Sequence, residues 1–257
     1  MIFRKLKAAF GAGVDVDTVL QNAQVRPGDL LRGQVNFRSE STDYSVDAIT
    51  LDLIAEVEVE SGDSEYKTNY SFSRTTVASR FKLAAGSAQS IPFEIPVPWE
   101  TPISAVNGQP LRGMKLGVKT ELELAGSLDK GDLDPLFVNP LPAQERFMRA
   151  TDQLGFGFKK ADLEKGTLVG SQMPFFQEIE YYASREFRGS FNELEVTFIA
   201  SPSAVDVILE VDKRGAFGGS HDAYDRFTMG HQDQGDFAGA LRNRLNALAN
   251  KRKGLFG

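Results

Sequence analysis

At 257 residues the chain is too long for a single sandwich of about 100 residues and long enough for two cores in series. Its 41% hydrophobic and 25% charged residues are ordinary globular composition, and the lack of cysteine excludes a disulfide framework, a thiolate metal centre and a thiol nucleophile, which fits a reducing compartment. The net charge of −6 is uneven: Arg4, Lys5 and Lys7 precede the first acid, Asp15, and Arg242, Arg244, Lys251, Arg252 and Lys253 follow the last, Asp236, so residues 15–236 set 21 cations against 35 acids, a net of −14. Such a body repels phosphate polymers, and nucleic acid is not expected as a partner.

The first residues, Met1-Ile2-Phe3-Arg4-Lys5-Leu6-Lys7, lack the unbroken apolar stretch of a secretory signal, and no later stretch approaches the roughly 18 apolar residues of a membrane span. A cytoplasmic protein is expected. The first half then reads in period two, the pattern of half-buried strands. Leu31, Gly33, Val35 and Phe37 alternate with Arg32, Gln34, Asn36 and Arg38, and Ile49, Leu51, Leu53, Ala55, Val57 and Val59 alternate with Thr50, Asp52, Ile54, Glu56, Glu58 and Glu60. Further strands are predicted around Phe81, Ile95 and Val118. Turn signals at Pro27-Gly28-Asp29, Ser61-Gly62-Asp63, Ala85-Gly86-Ser87 and Asn107-Gly108 separate them, which predicts an all-β sandwich. Pro92, Pro96 and Pro98 fall at alternate positions, so the strand carrying them has one unpaired side and is an edge.

The polar run from Asp129 to Pro135 predicts a break, giving a first sandwich over 1–128. Ala143 to Leu154 reads as a short helix ended by Gly155, and strands resume around Ile179, Val196 and Leu209, a second sandwich over 129–234. Residues 213–234 are glycine-rich and polar and read as a loop. Over 235–257 the period changes: Phe237, Leu241, Leu245 and Leu248 share a helical face from Phe237 to Lys253, with Asp236 as N-cap and Lys251-Arg252-Lys253 favourable at the C-terminus.

The segment from Val25 to Val35 carries Pro27-Gly28-Asp29 followed by Gly33 and Val35, and it resembles a turn pattern common in arrestin-like sandwiches, with Asp29 where Glu is usual. The second half carries Gln177-Glu178-Ile179-Glu180-Tyr181-Tyr182, Asn192-Glu193-Leu194-Glu195-Val196 and Leu209-Glu210-Val211-Asp212-Lys213-Arg214, which are similar to the bacterial sporulation-control family, stage-zero protein M. The resemblance spans nearly the whole chain. It implies two arrestin-like β-sandwich domains in series, and a regulator or adaptor without enzymatic activity or cofactor that acts by binding a protein, with cell-division or cytoskeletal proteins as the implied class. Family members also occur in bacteria that do not sporulate.

Candidate sites are few. His221 and His231, with Asp222, Asp225, Asp233 and Asp236, form the one cluster of imidazole and carboxylate suited to a divalent ion, but the spacing matches no metal motif and a solvated loop is the expectation. Glu178 with Glu180 and Glu193 with Glu195 resemble the paired carboxylates of a hydrolase. Their alternation with Ile179, Tyr181, Leu194 and Val196 predicts instead the wet face of a half-buried strand. No nucleophile elbow and no phosphate loop is present. Trp99, the only tryptophan, is a candidate interface anchor or loop anchor. Arg4, Lys5, Lys7, Arg242, Arg244, Lys251, Arg252 and Lys253 are candidates for contact with an acidic partner or for peripheral contact with an anionic membrane, the alternative being terminal segments packed on the body with their charges wet.

Overall fold

The structure is a computed structural model that describes residues 13–62, 64–214 and 220–250. The chain divides into two compact units, one running to Asn139 and the other from Pro140 onward, with Leu111–Gly113 belonging to the second.

The first unit contains β1 (Val14–Leu20), β2 (Gln24–Val25), β3 (Leu30–Ser39), β4 (Tyr44–Ser61), β5 (Ser64–Leu83), β6 (Ala88–Pro96), β7 (Ala105–Val106), β8 (Gln109–Pro110), β9 (Leu116–Leu124), β10 (Lys130–Pro135) and β11 (Phe137–Val138). One antiparallel sheet has the order β1-β3-β6; in the other, β4 lies between β9 and β5, and β10 pairs with β9. Leu31, Val35 and Phe37 of β3 and Leu51 and Leu53 of β4 are buried in the core, and Phe37 meets Phe81 of β5 at 5.5 Å between ring centroids. The prolines of β6 fall as the alternation requires. Val97 donates its N–H to Asp29 O (2.9 Å), which phases the odd-numbered residues of β6 toward β3 and turns Pro92 and Pro96 to the open side, where no donor is needed.

Two expectations change in this unit. The run Lys130–Pro135 is a strand, β10, rather than a linker, because Asp132 stays inside: its carboxylate accepts the Thr18 N–H at 2.7 Å, and Gly131 allows close approach to Thr120 O. The break between units therefore falls after Asn139. The second face of β4 is also not wet. Thr50, Asp52, Glu56 and Glu58 are all less than 8% exposed, and each acid has a partner: Asp52 takes Arg74 (3.2 Å) and Ser71 (2.8 Å), Glu56 takes Lys115 (2.8 Å), and Glu58 takes Lys67. Burial of a carboxylate requires such compensation, which the alternation of β4 alone does not reveal.

The second unit contains α1 (Pro142–Gln153), β12 (Gly157–Lys165), β13 (Phe175–Tyr182), β14 (Phe191–Ala200), β15 (Ala204–Arg214), β16 (Ser220–Gly230) and α2 (Phe237–Asn250). The strands form an antiparallel sheet in chain order. Helix α1 starts with Pro142 at its first position and with Leu141 N–H held by the Gln144 side chain (2.8 Å), and it stops at Gly155, whose φ is +78°. The residues between 213 and 234 are largely strand, not loop. Ala223, Phe227 and Met229 alternate with Tyr224, Arg226 and Thr228 along β16, a period-two pattern masked in the sequence by the glycines at its two ends. Where a second facing sheet was expected, the layer over this sheet among the described residues is helical: Phe147 of α1 contacts Phe198 of β14 (5.4 Å) and Phe237 of α2 (6.0 Å), and Phe237 contacts Phe227 of β16 (6.1 Å).

Candidate functional site

The Pro27-Gly28-Asp29 turn is built from the backbone outward. Asp29 accepts the Arg26 N–H at 2.8 Å, Gly28 donates to Val97 O at 2.9 Å, and Gly28 has a φ of +85°, which only glycine adopts without strain. The ring of Trp99 lies where a Cβ on Gly28 would stand, 2.5 Å from its ring carbons, so the indole covers the turn while remaining about a third exposed. Gly28→Ala is expected to displace the ring and to cost about 1–2 kcal/mol in backbone strain. Because Trp99 is the only tryptophan, a red shift of the protein's emission reads this directly, and an unchanged spectrum would refute the packing.

Helix α2 accounts for part of the basic C-terminal segment. Leu241, Leu245 and Leu248 are fully buried, and Asp236 accepts the Gly239 N–H at 3.2 Å as the cap. The stripe predicted from spacing is thus covered within the same unit, by α1 and β16. Arg242 pairs with Glu186 (3.2 Å), and Arg244 pairs with Asp225 (2.9 Å) while its guanidinium stacks 4.0 Å from the Phe227 ring. Arg4, Lys5, Lys7, Lys251, Arg252 and Lys253 lie outside the described residues.

The histidine cluster does not assemble. His221 is the second residue of β16 and His231 follows its last, ten residues apart, which in an extended strand is roughly 30 Å. Asp225 is engaged by Arg244, Asp233 closes the strand end by accepting the Gly230 N–H (2.6 Å), and the His231 ring contacts Ser201 O (3.0 Å). The side chain of His221 lies outside the described set.

The carboxylates do assemble. The register sets Asp162 opposite Glu178, Glu180 opposite Glu195 and Glu195 opposite Glu210, so acids from four strands share one face. A bulge between Phe158 and Lys160 breaks the alternation of β12 and turns both Lys159 and Lys160 to that face. Lys159 reaches Glu180 and Glu193, each at 2.7 Å; Lys160 reaches Glu180 at 3.0 Å and also Asp162. Burial works against both ammonium groups, yet the hydrogen bonds from their carboxylate partners outweigh it and hold both pKa values above the ordinary lysine range. Glu178 and Glu195 differ. Burial first, then repulsion from Glu195, Asp162, Glu164 and Glu210, pushes Glu178 up to about 8; burial, then Glu210, Glu180 and Glu193, pushes Glu195 up to about 7, against the pull of Lys159. The wet strand face read from the sequence is therefore partly withdrawn from water, with Glu180 only 6% exposed. The sequence signal that was available is the pair Lys159-Lys160, but only the bulge gives the two lysines a common direction.

In the first unit, the outer face of β1-β3-β6 carries an open groove of about 400 Å³ lined by Asp15, Asp17, Asn36, Arg38, Gln89 and Ser90. Arg38 and Asp15 stand 3.6 Å apart at its edge and are mostly exposed. No helix among the described residues is long and apolar enough to cross a membrane.

Comparison with known proteins places this geometry. The chain is 29% identical over 214 residues to the sporulation-control protein spo0M of Bacillus subtilis (strain 168), a span of 82% of this chain and 81% of the relative. It matches the crystal structure of Spo0M, sporulation control protein, from Bacillus subtilis with a TM-score of 0.82 at 26% identity, covering 93% of this chain and 100% of that one. The resemblance read from the second-half strands and the Pro-Gly-acid turn is borne out, as is the all-β class with few helices. Residues 3–215 match the model of the family described as SpoOM protein, and the chain belongs to that family.

Proposed function

We propose that the protein is a cytoplasmic, non-enzymatic regulator of the sporulation-control type that works by binding a protein partner. The likeness along nearly the whole chain to a sporulation control protein, at a TM-score of 0.82, carries this reading. The groove on β1-β3-β6 supports it as a docking place: it is open to solvent, and Asp15, Asp17, Asn36, Arg38, Gln89 and Ser90 stand along it. The rival hydrolase reading finds less support, since Glu180 and Glu193 are bridged by Lys159, and the remaining pair, Glu178 and Glu195, is raised in common instead of being split into one acid and one base. A partner of the cell-division or cytoskeletal class is proposed, and the terminal cations Arg4, Lys5, Lys7, Lys251, Arg252 and Lys253 are proposed to add peripheral contact with anionic lipid.

Cross-linking in the native organism followed by affinity capture tests the reading, with Asp17→Lys and Asn36→Lys as groove variants. The expected result is one protein captured by the parent chain and lost, at least tenfold, from both variants, while thermal unfolding is unchanged. Equal capture by parent and variants would remove the groove from the proposal. Hydrolysis of a glycoside panel that disappears in Glu178→Gln would replace the adaptor by an enzyme.

A further inference from the structure

Seven carboxylates stand on one face of the second unit: Asp162 and Glu164 on β12, Glu178 and Glu180 on β13, Glu193 and Glu195 on β14, and Glu210 on β15. Lys159 and Lys160 are engaged by Asp162, Glu180 and Glu193. That leaves the centre of the face short of positive charge. Carboxylate oxygens of Glu178, Glu195 and Glu210 lie within 4.8 Å of one another, and so do those of Glu180, Glu193 and Glu195. Among the described residues neither Glu178 nor Glu195 takes a hydrogen bond or an ion pair. Like charges this close and partly out of water do not all ionise near neutral pH, and a proton held between two of them relieves the repulsion.

We propose that Glu178, Glu195 and Glu210 form a proton-sharing switch in the second unit, closed while the cluster holds its protons and loosened when alkaline surroundings remove them. Every strand that borders the cluster contributes to the balance. Glu178 faces Glu195 on β14, Glu210 on β15, and Asp162 and Glu164 on β12. Glu195 faces Glu180 on β13, Glu193 on its own strand and Glu210, with Lys159 on β12 as the opposing cation. From β16, Tyr224 donates its hydroxyl to Glu210 (2.6 Å), and Arg226 is committed to Asp206 (2.7 Å).

The direction follows from linkage. The two raised carboxyls, at about 8 and about 7, titrate in the unfolded chain at about 4.3. Between those limits the folded unit binds more protons than the unfolded chain, so this contribution to stability is full below about pH 4, declines as pH rises, and is gone above about pH 8. Asp206 acts in the opposite sense: hydrogen bonds from Thr228 and Arg226 hold its pKa below the usual range, and its contribution is lost only as pH falls through that lowered value. A scan from pH 5.5 to 9 stays above that value and leaves Asp206 out of the slope. The switch does not depend on the adaptor reading.

Carbon-13 NMR of glutamate-labelled protein, combined with thermal unfolding over that range, tests the proposal. Two side-chain carboxyls are expected to titrate above pH 6.5, and the melting midpoint is expected to fall by about 5 °C or more between pH 6 and pH 9. Glu178→Gln with Glu195→Gln should flatten that slope and slow amide exchange in β13–β15 at pH 9. If the double variant does not fold, the titration of the parent protein still decides. Midpoints of both carboxyls between about 4 and 5, or an equal pH slope in parent and variant, would overturn the switch. A rise in melting midpoint at pH 8.5 on adding calcium chloride, abolished by Glu195→Gln, would also overturn it, because a divalent cation would then be the operating ligand.

Discussion

Removing the chain from Asp236 onward is expected to unfold most of the second unit at 37 °C. The deletion strips away Leu241, Leu245 and Leu248, all at most 1% exposed, and the Phe237 ring that bridges Phe147 and Phe227. Burial of a leucine contributes about 1.5–3 kcal/mol, so the three together approach the roughly 5–15 kcal/mol that stabilise an ordinary domain. The surface pairs Arg242–Glu186 and Arg244–Asp225 are partly exposed and add little. A graded version is Leu245→Ala, with an expected loss of about 2–5 kcal/mol from the lost contacts and the cavity left behind. Near-UV circular dichroism against temperature measures both. A truncated chain that melts where the parent does would mean that the apolar stripe is not part of the core.

Gly113→Ala is expected to be the most damaging single change at a glycine. Gly113 has a φ of +97°, and a Cβ there would stand 2.0 Å from Ala161 O, a backbone atom that cannot swing aside. The Ala161 N–H is at the same time bonded to Arg112 O at 3.0 Å, so the two segments are tied together at the point of collision. Backbone strain alone costs about 1–3 kcal/mol, and the collision adds to it by forcing the β12 backbone away. Gly126→Ala separates the two contributions, because Gly126 has a φ of +70° with nothing within 4 Å of the added carbon. Urea midpoints should drop by about 1 kcal/mol equivalent for Gly126→Ala and by more than twice that for Gly113→Ala. Similar losses for the two variants would show that the tight approach to Ala161 is not real.

Much of this architecture is legible in residue order because strand and helix periods are local. Leu31, Val35 and Phe37 point inward because residues two apart share a face, and Leu241, Leu245 and Leu248 line up because residues three and four apart do. Asp236 caps α2 and Gly155 ends α1 through contacts only a few residues long. The Pro92 and Pro96 alternation marks an open edge because a missing N–H has the same consequence in any register. The family resemblance rests on the same local signals, in the turn at Pro27-Gly28-Asp29 and in the strands around Glu180, Glu195 and Glu210.

Three features were not legible, each for want of register. Period two says that the β4 acids oppose its apolar face, but only pairing with β5 and β9 brings Arg74 to Asp52 and Lys115 to Glu56 so that both carboxylates can be buried. Composition makes 213–234 look like a loop, whereas eleven consecutive pairs with β15 make Ser220–Gly230 a strand and thereby carry His221 and His231 to opposite ends. The carboxylate cluster needs three registers and one bulge to exist: alternation alone would send Lys159 and Lys160 to opposite faces, and nothing local places Glu178, Glu195 and Glu210 within 4.8 Å. The sequence by itself determined which residues can lie inside a strand or helix and which turns can form, since these depend on neighbours along the chain. The tertiary structure decided which charges meet, because strand register is set by long-range pairing, and one residue of slip would send every one of those carboxylates to the other face.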